Sequence, residues 1–187
     1  MPAGIIVFPA AYLATDIIVE IYGYSVSRRI IWSGAAALVL MVASYEVARL
    51  LPPASFWSGQ SAFDQTLAQV PRIVTASIVA YFAGDFANSF VLAKMKVWSE
   101  GRGMAVRFVA STLVGQLLDT SVFVFIAFTG VFPAMDLMGV VLSAWLVKSA
   151  WEVIALPITL PIVRWLKRAE NQDHFDRDTD FNPFLIR

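Results

Sequence analysis

The chain has 187 residues, of which 58% are hydrophobic and 15% charged, with a formal net charge of zero and no cysteine. Soluble domains carry about 25% charged residues, so the polar surface of a water-facing globule is missing here, which is explained if lipid covers the outside. Zero net charge suggests no nucleic-acid partner, and the lack of cysteine removes thiol catalysis and Cys-zinc sites from consideration.

The chain opens on MPAGIIVFPAAY, without a positively charged n-region, so a cleavable signal peptide is not expected. A membrane crossing needs about 20 largely apolar residues, and five stretches are predicted to supply one. The first runs from Gly4 to Tyr22 and carries Asp16 and Glu20 in its second half. The second is Ile30 to Leu51, with Glu46 and Arg49 near its end. Between the second and third lies Pro52 to Val70, too short and polar to span. Phe63, Leu67 and Val70 recur there at helical spacing, so it is either a helix lying on the surface or a plain loop. The third span, Ile73 to Ala93, has Asp85 as its only charge. The fourth, Phe108 to Phe132, has Asp119 as its only charge. The fifth, Leu137 to Val163, contains Lys148 and Glu152, and Pro157 and Pro161 are expected to bend its end.

Basic residues fall on alternate sides. Eleven lie on one side: Arg28, Arg29, Lys94, Lys96, Arg102, Arg107, Arg164, Lys167, Arg168, Arg177 and Arg187. The other side has only Arg49 and Arg72. The positive-inside rule makes the eleven-residue side cytoplasmic. The first span then starts outside and the C-terminus ends inside. Trp32, Trp98 and Trp165 on the inner side and Trp57 on the outer fit interfacial belts. The expectation is therefore an all-α polytopic bundle over residues 1–168 and a cytoplasmic tail over 169–187, in a bacterial plasma (inner) membrane.

A charge at mid-bilayer costs roughly 2.5–3.5 kcal/mol on insertion scales. Asp85, Asp119, Lys148 and Glu152 all lie too far from their span ends to snorkel easily, so they should face the bundle interior. Asp85 with Asn88, and Gln116 with Asp119, are spaced i, i+3; Lys148 with Glu152 is i, i+4. Each pair therefore shares a helix face. One reading is that these groups only bind helices together. The other is a central polar pocket in which three acids exceed one base and invite a proton, a cation or a basic ligand. Asp16 and Glu20, also i, i+4, read either as a solvated helix end or as a gate with a break at Gly23 and Arg28 or Arg29 as partners.

A faint internal echo links the third and fourth spans: Gly84-Asp85-x-x-Asn88-Ser89 is matched by Gly115-Gln116-x-x-Asp119-Thr120. Across antiparallel helices such an echo would set equivalent side chains on two walls of one cavity; chance is the competing reading. In the tail, Asp176, Asp178 and Asp180 mimic the start of a calcium loop. However, Phe181 stands where glycine is required and Arg187 where glutamate is required, so that reading is rejected. No metal site is expected at His174, the single histidine, and no cofactor is called for. The chain shows no nucleotide-binding loop and no hydrolase or zinc-protease signature.

TDIIVEIYGYSVSRRIIW, GDFANSFVLAKMKVWSEGR, RFVASTLVGQLLDTSVF and KRAENQDHFDRDTDFNPF, in that order, resemble the queuosine precursor transporter family of the vitamin uptake transporter group. The likeness covers nearly the whole chain. It implies uptake of 7-cyano-7-deazaguanine and 7-aminomethyl-7-deazaguanine for queuosine salvage and tRNA modification. The substrate would be held by Asp85, Asn88, Gln116, Asp119, Lys148 and Glu152, with Asp16, Glu20 and Arg28 as gate. The family has six spans, one of them before GIIVFP, so its first helix is expected to be absent from this chain. Many members carry an amide or glutamate at the position of Asp85, which would change the charge balance of the pocket. Other readings stay open: a substrate-binding subunit of an energy-coupling-factor importer for another vitamin-like solute, a membrane enzyme, and a structural membrane protein. A transporter is expected rather than an enzyme. Its partners would be the substrate and the bilayer, and a homodimer or a separate energising module is left open.

Overall fold

The computed structural model describes residues 8–67 and 70–185. All named elements in that range are helices: α1 Phe8–Tyr22, α2 Tyr24–Leu50, α3 Gln60–Leu67, α4 Val70–Trp98, α5 Met104–Phe128 and α6 Ala134–Glu170. Four of them (α2, α4, α5 and α6) are long and apolar enough to cross a membrane. Residues 4–7 of the expected first span, and Arg187 of the basic count, lie outside the described residues. α1 as described is 15 residues long.

α4 and α6 run past the apolar stretches at both ends, α2 and α5 at their starts only. A span read from hydropathy stops where apolar residues stop, but the hydrogen-bond ladder continues into polar sequence until something breaks it. In α6 the ladder runs for 37 residues, about 55 Å at 1.5 Å per residue. It continues through Pro157 and Pro161, each of which removes one backbone donor. The helix stops at Asn171, in the left-handed conformation that suits an asparagine C-cap. α1 and α2 are separated only by Gly23 at φ 85°, so the break expected there is observed. The segment between the second and third expected spans contains the short α3. Arg72, near the start of α4, donates to the carbonyls of Ile126 and Thr129 at 2.7 and 2.5 Å, satisfying carbonyls at the end of α5.

α4 and α5 form the most extensive pair and run antiparallel. They approach closely because glycines face each other. A Cβ on Gly84 would fall 2.6 Å from the Asp119 Cβ, and one on Gly115 would fall 2.7 Å from the Asn88 Cβ. α1 packs against α4, α6 and α2 and is reached from α5 by Thr112 and Arg107, and Tyr12, Asp16, Val19, Glu20 and Ile21 are all buried. The far half of α2 is the opposite case. Val39, Leu40, Met41, Val47 and Leu50 are exposed, as a lipid-facing helix requires.

Residues after α6 fold back across one end of the bundle. The His174 amide donates to the Ile21 carbonyl at 3.0 Å. The Asp176 carboxylate accepts the Tyr24 amide at 3.0 and 3.1 Å, capping the N-terminus of α2. Arg28 donates to the carbonyls of Asp180 and Asn182, both at 2.8 Å. The Phe181 ring sits 4.9 Å from Tyr24 and 5.3 Å from Phe90. The acidic residues that mimic a calcium loop thus include a helix cap.

Candidate substrate site

A cavity of about 800 Å³ opens between α1, α2, α4, α5 and α6. Its polar end is formed by Tyr12, Asp85, Asp119, Thr120 and Lys148. Its walls are aromatic and aliphatic, among them Tyr81, Phe123, Phe128 and Leu137. This is the usual make-up of a small-molecule site: a mostly apolar enclosure of about 300–1,000 Å³ with a few convergent polar groups. Lys148 Nζ donates to Asp119 Oδ2 at 2.8 Å and to Thr120 Oγ1 at 3.3 Å. The Tyr12 hydroxyl lies within hydrogen-bonding reach of Asp85. The lysine is committed to Asp119, and the phenol stands beside Asp85.

Three of the six expected pocket residues, Asp85, Asp119 and Lys148, line this cavity. Asn88, Gln116 and Glu152 do not; they lie behind it. The reason is helical geometry. Each helix steps about one turn away from the cavity: Asp85 to Asn88, Asp119 to Gln116, Lys148 to Glu152, and Tyr12 to Asp16. The second group is buried, each member being at most 2% exposed. Asn88 Nδ2 donates to Asp16 Oδ1 at 2.6 Å, and Thr112 Oγ1 to Asp16 Oδ2 at 3.5 Å. The Glu152 carboxyl is within hydrogen-bonding reach of Asp16. The single polar pocket expected from the sequence is thus two polar layers.

The gate residues separate in the same way. Asp16 belongs to the second layer. Glu20, one turn further along α1, forms a third: Oε1 meets Arg107 at 2.8 Å, Lys167 at 2.7 Å and Lys96 at 3.9 Å. Lys96 and Lys167 also reach Asp173, at 2.6 and 2.7 Å. Neither acid is a solvated helix end, since both are fully buried. Arg28 and Arg29 are not their partners. Arg28 instead holds the C-terminal segment.

Tyr12 was not singled out from the sequence, yet it stands on the cavity. A signal was available: Tyr12, Asp16 and Glu20 repeat at i, i+4, so the most polar stripe of α1 starts one turn earlier than its charges do. The echo between the third and fourth spans has a structural counterpart. Gly84 is opposed by Asp119 and Gly115 by Asn88, so each motif's glycine meets the fourth-following position of the other motif.

The family model described as "putative vitamin uptake transporter" matches residues 2–162. The chain belongs to this family. Similar proteins include the "Probable queuosine precursor transporter" of Bacillus subtilis, 28% identical over 82% of this chain and 68% of that one. The "Queuosine precursor transporter" of Escherichia coli is 36% identical over 67% of this chain and 54% of that one. A Haemophilus influenzae protein named "Probable queuosine precursor transporter" is 32% identical over 67% of this chain and 51% of that one. The chain therefore spans about two thirds of the first of these relatives and about half of the other two. No solved structure matches it.

Proposed function

We propose that this family member is a multi-pass transporter that brings 7-cyano-7-deazaguanine and 7-aminomethyl-7-deazaguanine across a bacterial inner membrane for queuosine salvage. The observation that carries the reading is the cavity ending on Asp85, Asp119 and Lys148, in a chain whose relatives bear the name of queuosine precursor transporter. The edge of a guanine-like base presents adjacent N–H donors, which one carboxylate accepts together, and a ring carbonyl, which the Lys148 ammonium satisfies. Asp85 and Asp119 suit the donors, and their negative charge suits the cationic aminomethyl arm. Tyr81 and Phe123 offer ring faces for the flat heterocycle. Asn88 and Gln116 lie one turn behind these groups and do not line the cavity.

The orientation follows from the basic residues. Arg28, Lys96, Arg107 and Lys167 gather at the end that the C-terminal segment covers, and the positive-inside rule makes that end cytoplasmic. α1 then supplies a fifth crossing. The cavity lies toward the other end, among residues late in α5 and early in α6. It is thus reached from outside, while the Glu20 ion cluster and the folded-back segment close the inside. That is the outward-facing state of an importer.

Uptake of labelled 7-cyano-7-deazaguanine, in cells unable to make it, tests the reading. The native chain should restore uptake. The double substitution Asp85→Ala with Asp119→Ala should reduce it at least about tenfold, the equivalent of about 1.4 kcal/mol of lost interaction. Normal uptake by the double variant would remove the cavity assignment.

A further inference from the structure

The second polar layer holds an arrangement that substrate binding does not use. Asp16 and Glu152 come from α1 and α6, are buried, and bring two carboxyl groups within hydrogen-bonding reach of each other. Two ionised carboxylates at that separation repel and have no hydrogen to share; one proton between them makes a hydrogen bond instead. Among the described residues nothing else in the layer neutralises them. Asp16 accepts from Asn88 and Thr112, which are neutral donors. Three further acceptor atoms there are buried and have no hydrogen-bond partner: Glu152 Oε1, Asn88 Oδ1 and Gln116 Oε1.

The surrounding charges belong to other pairs. Toward the cavity, α4 presents Asp85, reached by Tyr12 of α1; α5 presents Asp119 and α6 Lys148, which pair with each other. Away from it, α1 presents Glu20, engaged by Arg107 of α5, by Lys167 of α6 and more distantly by Lys96 of α4. Among the described residues the layer therefore has surplus acceptors, an acid pair and no cation of its own.

We propose that Asp16 and Glu152 form a proton-binding site, separate from the substrate cavity, whose occupancy couples inward transport to proton movement. Binding adds one proton across the two carboxyls, and release returns it; no other bond forms or breaks. The two sites share their supports. α1 carries Tyr12 to the cavity and Asp16 to the proton site, one turn apart. α4 does the same with Asp85 and Asn88, and α6 with Lys148 and Glu152. A proton that alters how α1, α4 and α6 pack against each other therefore shifts the state that the cavity presents, which is all that coupling requires. A sodium ion, which the same unpartnered oxygens would also suit, is the rival occupant, and the response to a sodium gradient separates the two.

This inference rests on the transport reading, so its test has one arm that needs no substrate. The infrared difference spectrum at neutral pH, native chain minus Asp16→Asn with Glu152→Gln, should contain the C=O stretch of a protonated carboxyl, shifted in heavy water. Absence of that band overturns the proposal. In the other arm, purified full chain in liposomes is given labelled 7-cyano-7-deazaguanine under an imposed pH gradient, alkaline inside. Accumulation should approach about tenfold per pH unit for one proton per neutral solute. Asp16→Asn and Glu152→Gln should each keep substrate exchange within about twofold of native while losing accumulation, as a difference in coupling rather than in site occupancy requires. Accumulation that both variants retain, or that follows a sodium gradient instead, overturns the proposal. A native chain that exchanges no substrate removes the transport reading instead, and the infrared arm still decides the proton site.

Discussion

Along α1 the polar side chains recur every four residues, and each rung has a different task. Tyr12 faces the cavity, Asp16 the buried acid pair, and Glu20 a knot of cations. The Glu20 rung makes the sharpest stability prediction. Arg107 and Lys96 are buried around it, so Glu20→Gln leaves uncompensated buried charge and should cost about 3–5 kcal/mol. Glu46→Gln, which removes the half-exposed partner of Arg49, should leave the melting midpoint in detergent unchanged. Comparing the two melting curves checks both. The cavity acids and Lys148 were legible because an intramembrane charge is costly and therefore conspicuous. Tyr12 was not, because a tyrosine in an apolar stretch reads equally as packing. The partners of Glu20 were hidden for a different reason. They come from three helices distant in sequence, so only the tertiary arrangement joins them.

At the level of elements, the α4–α5 crossing and the C-terminal segment each carry a prediction. Gly84→Ala would press a methyl group against Asp119 Cβ and the Gly115 carbonyl, at 2.6 and 3.1 Å, and the backbone cannot yield as a flexible side chain would. The expected loss is about 1–3 kcal/mol. Gly139→Ala on α6 meets nothing within 4 Å and should be neutral or slightly stabilising by thermal melting. The C-terminal segment should loosen in acid. Burial raises the Asp173 carboxyl, but Lys167 and Lys96 outweigh it and hold the group below its ordinary value. A lowered folded value means that the contribution is present above the ordinary aspartate value, about pH 4, and is lost as pH falls through the lowered one. Acid-protease cleavage of the segment should therefore rise only below about pH 4, and Asp173→Asn should abolish the step. Four of the five expected spans were readable from hydropathy to within a turn or two. The folded-back segment was not, because its polar sequence docks mainly through backbone carbonyls and a helix cap, which leave no apolar periodicity.

Over the whole molecule, an all-helical membrane bundle with polar groups turned to its interior was legible, because bilayer thickness and the cost of buried charge act directly on sequence. That α1 packs against α2, α4 and α6, and that the polar groups stack in layers, was not, since both depend on which helices are neighbours. The layers give the transport account its shape: a cavity toward one end, an acid pair behind it, and an ion cluster sealed by the chain's own C-terminal segment at the other. The most direct test of the substrate claim is titration of the purified full-length chain with 7-cyano-7-deazaguanine, with guanine run alongside. The account predicts saturable binding of the deazaguanine, weaker binding of guanine, and at least about tenfold loss of affinity in the Asp85→Ala, Asp119→Ala double variant. No binding by the native chain, or unchanged affinity in that variant, would contradict it.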